Sequence, residues 1–434
     1  MNYSDEYKRK LVSLEEAVGK IHSNDKVVVA MAAAQPPGLL STLHTIKDRV
    51  RNVKIIACLL LKDYEFLHYV GKEGEDTPFV LEDWYFGGPE KDLYKKGLTT
   101  FIPNNLHSAG TEKLKAEHIN VFIGSATPPD SRGYMSLSLN LVYEREMIEN
   151  ADLVILEINE NLPRTYGDTA VHIKDVDVVV ENNAPLLEFP PIEPTDIERM
   201  IGDHVAELIE DGSTIQLGIG GIPNAIAKFL ANKKDIGVHS EMITEGMVDL
   251  IEGGVINNSK KTLWKGKTVG AFIMGTQKLY DFVQDNLAVE LHRGSVVNDP
   301  YVVAQNDKMV SINSALQVDL AGQVCSESFG PLQYTGTGGQ LDMHRGAVMS
   351  NGGIGIVALR STAKNGTIST IVPMLTPGSF VTIPRQDTDC IITEYGSVRL
   401  KGRSVRDRAL SLISIAHPDF RETLLEEARK INLI

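Results

Sequence analysis

Three cysteines, two tryptophans and no uninterrupted apolar run of about 18 residues set the first limits on this 434-residue chain. Cys58, Cys325 and Cys390 stand alone with no C-x-x-C spacing, so neither a disulfide framework nor a thiolate metal site is signalled. Buried thiols in a reducing cytoplasm are the expectation. The missing apolar run argues against a membrane span, and the opening MNYSDEYKRK lacks the apolar segment of a secretory signal. An excess of positive charge is also missing: 43 Lys and Arg against 57 Asp and Glu leave a net charge of −14. That balance argues against nucleic acid as a partner, and a polyanionic ligand would have to be held by local cations and N–H groups. With 42% hydrophobic residues, the chain can bury more than one core.

Periodicity supplies alternating strands and helices along the whole length, which predicts an α/β fold with mostly parallel sheets. Residues 3–22 read as one opening amphipathic helix, 26–30 as a strand, 31–37 as a small-residue loop with two prolines, and 54–61 as a second strand. Prolines and acids in LEFPPIEPT (187–195) break the pattern and read as a linker. Two domains follow, 1–190 and 191–434. Asp196 is expected to cap the next helix.

The stretch STIQLGIGGIPNAIAKFLANKKDIGVHSEM (213–242) organises the second domain. It reads as strand, glycine loop, a helix starting at Pro223, and a second strand ending at Glu241. Sliding it back by 186 positions superposes Pro223 on Pro37 and Gly218 on Ala32, which suggests two similar open α/β halves. A parallel βαβ unit puts the glycine loop and Glu241 at the same carboxyl edge of the sheet, where such folds bind ligands. Taken alone, the spacing favours the plainer reading of a structural turn followed by a solvated Glu. A dinucleotide fingerprint is disfavoured, because 218–221 lacks the third glycine at the required distance.

Seen together, GIGGIP (218–223), VHSE (238–241), VVNDP (296–300), SINSALQVD (311–319), GTGGQLD (336–342), STAKNGTIS (361–369) and TEYG (393–396) resemble, in order, the family I coenzyme A transferases. The similarity is to the acetyl-CoA hydrolase/transferase branch and spans nearly the whole chain. It implies two α/β domains with the active site at their interface and Glu241 as nucleophile. It further implies Asn298 and Gly339 as donors to oxyanions, and a CoA-binding set of Gly218, Ile219, Gly220, Gly221, Ile222, Leu316, Gly339 and Lys364.

The implied reaction moves CoA between a short-chain acyl-CoA (acetyl-, butyryl- or 4-hydroxybutyryl-CoA) and a carboxylate such as acetate. An acyl-glutamyl anhydride and a glutamyl-CoA thioester are the implied intermediates. CoA would be substrate and covalent intermediate, with no tightly bound cofactor, no metal, and a homodimer as the assembly. Acetyl-CoA hydrolysis by the same Glu and non-catalytic binding of a nucleotide or sugar phosphate are the alternatives. The sequence leaves the acid open, since one methylene in an apolar slot is worth only about 1 to 3 kcal/mol.

Overall fold

The structure is a computed structural model that describes residues 3–218 and 220–434. The chain divides into two compact units: Met1–Phe189 with Gly270–Val296, and Pro190–Val269 with Val297–Ile434. The first leaves off at the proline-rich segment. The return of Gly270–Val296 to the first unit has no linker-like composition on either side.

In the first unit, strands β1 (Lys26–Val29), β2 (Val53–Ala57), β3 (Phe79–Asp83), β4 (Thr99–Phe101), β5 (Val121–Ala126), β6 (Leu153–Ile158) and β7 (Val178–Glu181) form one sheet. Its order is β7-β6-β5-β1-β2-β3-β4, and every pairing is parallel. Val27, Val28 and Val29 are all fully buried, as expected where helices cover both faces of a parallel sheet. The opening segment is two helices rather than the single one expected. Tyr3–Lys10 stops before Ser13, whose hydroxyl accepts from Glu16 N–H while the Glu16 carboxylate accepts from Ser13 N–H. This reciprocal cap starts a new helix, Leu14–Val18, and overrides the longer periodicity.

In the second unit, β8 (Thr214–Leu217), β9 (Gly237–Val238), β10 (Met309–Ser314), β11 (Ile354–Ala358), β12 (Cys390–Thr393) and β13 (Gly396–Arg399) form a sheet of order β9-β8-β10-β11-β12-β13. Only the hairpin β12–β13 is antiparallel. Helix α1 (Asp196–Leu208) is capped by Thr195, one residue earlier than expected, in a second reciprocal cap with Glu198. It crosses α2 (Gly221–Phe229) closely at Gly202, where a Cβ would lie 3.0 Å from that of Ala225. Helix α2 starts at Gly221, two residues before Pro223. Gly220, at φ 113°, holds the entry turn in a conformation that favours glycine.

Among the described residues no helix is long and apolar enough to cross a membrane. All three cysteines are buried.

Candidate active site

Strand β9 lies parallel to β8, with Ile215 opposite Val238, so the glycine loop after β8 and the residues after β9 leave the sheet at one edge. Backbone bonds fix this edge: His239 N–H donates to Ile215 O (3.2 Å) and Ser240 N–H to Val269 O (3.0 Å). The Ser240 hydroxyl donates to Leu217 O at 3.4 Å. Glu241 is the next residue, half-buried, and its orientation follows from these anchors.

Two donors converge on its carboxylate. Asn298, fully buried, donates from Nδ2 to Glu241 Oε2 at 2.9 Å. Asn298 is set in place by its neighbour: the Asp299 carboxylate accepts from Tyr301 N–H (2.8 Å) and caps a short helix begun by Pro300. The second donor is the Gly339 N–H. Gly339 is the cap residue of α3 (Gln340–Met349), so the positive end of a ten-residue helix faces the acid. A Cβ on Gly339 would overlap both Asn298 Nδ2 and Glu241 Oε2, so only glycine allows this approach.

Desolvation pushes the Glu241 carboxyl up from 4.5 to about 7, against the pull of the Asn298 bond; the charge of Asp342 adds to the rise, and the Gly339 N–H opposes it. Asp342 sits in the first turn of α3 and is almost wholly buried. It lay inside the GTGGQLD motif without a role; a carboxyl three residues into a helix that starts at an anion-facing glycine is the signal that could have singled it out. The other end of the Asn298 amide, Oδ1, is buried without a partner among the described residues, leaving an acceptor that a ligand N–H or a water can fill. A carboxylate so placed can attack an electrophilic carbonyl. The same two donors can hold the negative charge if that carboxyl carbon is itself attacked.

Ile219 lies outside the described residues. Among the described residues nothing lies within 4 Å of a Cβ built on Gly218 or Gly220, whereas a Cβ on Gly221 would run into the Glu198 carboxylate. Glu198 is paired with Arg360 at 2.7 Å. Ile222 is buried on α2. Leu316 is half-buried and donates its N–H to Cys325 O (2.9 Å). Lys364 is exposed on the turn between the short strands Thr362–Ala363 and Ile368–Ser369. Among the described residues no group of His, Cys, Asp and Glu is arranged to hold a metal ion.

The raised Glu241 value has a thermodynamic signature. The folded chain retains the proton up to about pH 7, whereas an unfolded chain releases it near 4.5, so this group removes stability as pH climbs between those values. Glu241→Gln is expected to stabilise the protein by roughly 3 kcal/mol at pH 8 and by nothing near pH 4.5. Urea unfolding of both proteins at the two pH values checks this; a difference independent of pH would contradict it.

Comparison with known proteins gives a consistent picture. The family model of the acetyl-CoA hydrolase/transferase N-terminal domain matches residues 1–189, and that of the C-terminal domain matches residues 275–428. The 4-hydroxybutyrate coenzyme A transferase of Clostridium kluyveri is 45% identical over 431 residues, covering 99% of this chain and 100% of that protein. The succinyl-CoA:cyclohexane-1-carboxylate CoA transferase of Geobacter metallireducens is 41% identical, covering 100% of this chain and 98% of that one. Among solved structures, RipA from Yersinia pestis matches with a TM-score of 0.92 at 36% identity, over 100% of both chains.

Proposed function

The chain belongs to the acetyl-CoA hydrolase/transferase family and is a CoA-transferase, and we propose that it exchanges CoA between a short-chain acyl-CoA and a free carboxylate, with Glu241 carrying the CoA in between. Acetyl-, butyryl- and 4-hydroxybutyryl-CoA are the proposed donors and acetate the proposed acceptor. The observation that carries this reading is the convergence of Asn298 Nδ2 and the Gly339 N–H on the Glu241 carboxylate.

Ionised Glu241 attacks the thioester carbonyl, expelling CoA as thiolate and forming an acyl-glutamyl anhydride. The thiolate then attacks the Glu241 carboxyl carbon, forming the glutamyl-CoA thioester and releasing the original acid. An acceptor carboxylate runs the two steps in reverse. When the Glu241 carbon is tetrahedral, its oxygen carries the negative charge that the two donors are already aimed at, and removing one such donor typically costs roughly 10²- to 10³-fold. The open approach at Gly218 and Gly220 supports a CoA-binding role for that loop. Exposed Lys364 offers a cation for a phosphate, and Leu316 an apolar contact. CoA enters as substrate, in a cytoplasmic enzyme that works as a homodimer.

Because the attacking form is the ionised one, kcat/KM should fall as pH drops through about 7 and level off above it. A flat profile between pH 5.5 and 8 would count against Glu241 as nucleophile. Transfer and hydrolysis are separated by supplying butyryl-CoA with and without acetate. Acetyl-CoA formed only when acetate is present supports transfer; CoA released at the same rate without acetate supports a thioesterase and overturns the proposal.

A further inference from the structure

Two residues before Glu241 stands a histidine with no part in the scheme above. His239 is fully buried, and its ring joins the strand end that carries Glu241 to the segment that carries Asn298. Nε2 lies 2.7 Å from the carbonyl oxygen of Val297, the residue before Asn298. Nδ1 lies 3.1 Å from Nδ2 of Asn306. The Asn306 amide is oriented by its other end, since Oδ1 accepts from Leu263 N–H at 3.2 Å. Its Nδ2 can therefore only donate, which makes His239 Nδ1 the acceptor and leaves the ring proton on Nε2, where it is given to Val297. The opposite tautomer would set two N–H groups against each other at Asn306 and two lone pairs against each other at Val297. The Trp264 ring, 5.5 Å away and tilted by 37°, packs against the imidazole.

The Glu241 side of this connection is already rigid. His239 and Ser240 are bonded to Ile215 and Val269 through the backbone, and His239 forms a parallel bridge with Val269. Displacement of the Val297–Asn298 segment by a fraction of an ångström would lengthen the 2.9 Å bond from Asn298 to Glu241.

We propose that His239 is a positioning residue: its Nε2–H, locked by Asn306, holds the Asn298 amide at bonding distance from the nucleophile. This inference rests on the reading of Glu241 and Asn298 given above.

Three substitutions separate positioning from bulk packing. Gln can place an N–H near the position of imidazole Nε2, whereas Asn reaches only as far as Nδ1 and Leu donates nothing. His239→Leu and His239→Asn are expected to lower kcat roughly 100-fold with KM for acyl-CoA unchanged. His239→Gln should recover most of the loss. Without the Asn298 bond the ionised carboxylate is less favoured, so the acid limb of kcat/KM should move above about 7 in the Leu and Asn variants and stay in place in the Gln variant. Asp342, the other charge acting on Glu241, is untouched in all three.

Equal losses in all three variants with an unmoved limb would overturn the proposal. So would full activity in His239→Leu. Should the Leu and Asn variants not fold, nitrogen-15 spectra of the histidine-labelled wild-type protein still decide. The Nε2–H tautomer of the His239 ring, assigned by its absence in His239→Gln, is the expected form, and an Nδ1–H tautomer contradicts the proposal. An inactive Glu241→Gln beside a fully active His239→Leu removes this inference alone, whereas an active Glu241→Gln removes the reading beneath it.

Discussion

Glu241→Gln is expected to lower CoA transfer by at least roughly 10⁴-fold while leaving the fold and the binding of acyl-CoA intact. Gln matches Glu in length and can still meet the Asn298 amide, so loss of activity cannot be assigned to a cavity or a shifted backbone. What disappears is the anionic oxygen proposed to attack the thioester, and with it both proposed covalent intermediates. The variant is also the more stable protein above pH 7, because it no longer has to hold a desolvated charge. Loss of activity together with gain in stability marks a group kept for chemistry rather than for folding. Glu241→Asp retains the charge but draws it back by about one bond length from both donors, and a drop of roughly 100-fold is expected from misplacement alone. Steady-state transfer from butyryl-CoA to acetate, beside isothermal titration with a CoA ester, measures both variants. Retention of more than a tenth of wild-type turnover by Glu241→Gln would contradict the account.

Gly339→Ala is expected to be nearly as damaging, roughly 10³-fold in kcat, although it adds only one methyl group. Backbone strain is not the reason: φ −92° and ψ 19° are open to alanine. The reason is that the new Cβ would occupy the space of Asn298 Nδ2 and Glu241 Oε2, so at least one must leave the site. The matching control is Gly218→Ala, where nothing among the described residues lies within 4 Å of the added carbon. If Gly218→Ala alters KM for CoA esters and not kcat, and Gly339→Ala does the reverse, the two glycines divide between binding and chemistry as proposed. An active Gly339→Ala would mean that its N–H is not a donor to the reacting carboxyl.

Local signals carried much of the second unit. β-Branched residues before a glycine loop, and a restart at Gly237, placed β8 and β9, and the parallel pairing of those strands then put Glu241 at the carboxyl edge. The first segment of unit one ends at Phe189, inside the proline-rich stretch 187–195, where proline and clustered acids interrupt both periodicities. Non-local relations were legible only through the family resemblance. Asn298 lies 57 residues beyond Glu241, and it reaches the carboxylate through packing that periodicity does not encode. Gly270–Val296 belongs to the first unit, where Glu290 and Leu291 pair with Tyr166 and Gly167, and its composition does not announce this. The CoA-binding reading of Gly221 came from the family resemblance, and the closeness of the Glu198 carboxylate on the neighbouring helix to that glycine is a relation no local pattern announces. Likewise, His239 was printed inside the VHSE motif, but a tautomer lock needs Asn306 and Val297, both far along the chain.

The central claim is that the Glu241 side chain becomes a thioester of CoA during turnover. Mixing the enzyme with butyryl-CoA, reducing with borohydride and digesting for mass spectrometry tests it directly. The account predicts that the peptide containing Glu241 carries either a CoA-sized adduct or the mass of the alcohol left by reduction, and that acetate added before the borohydride removes both. An unmodified Glu241 peptide from enzyme that is turning over would contradict it.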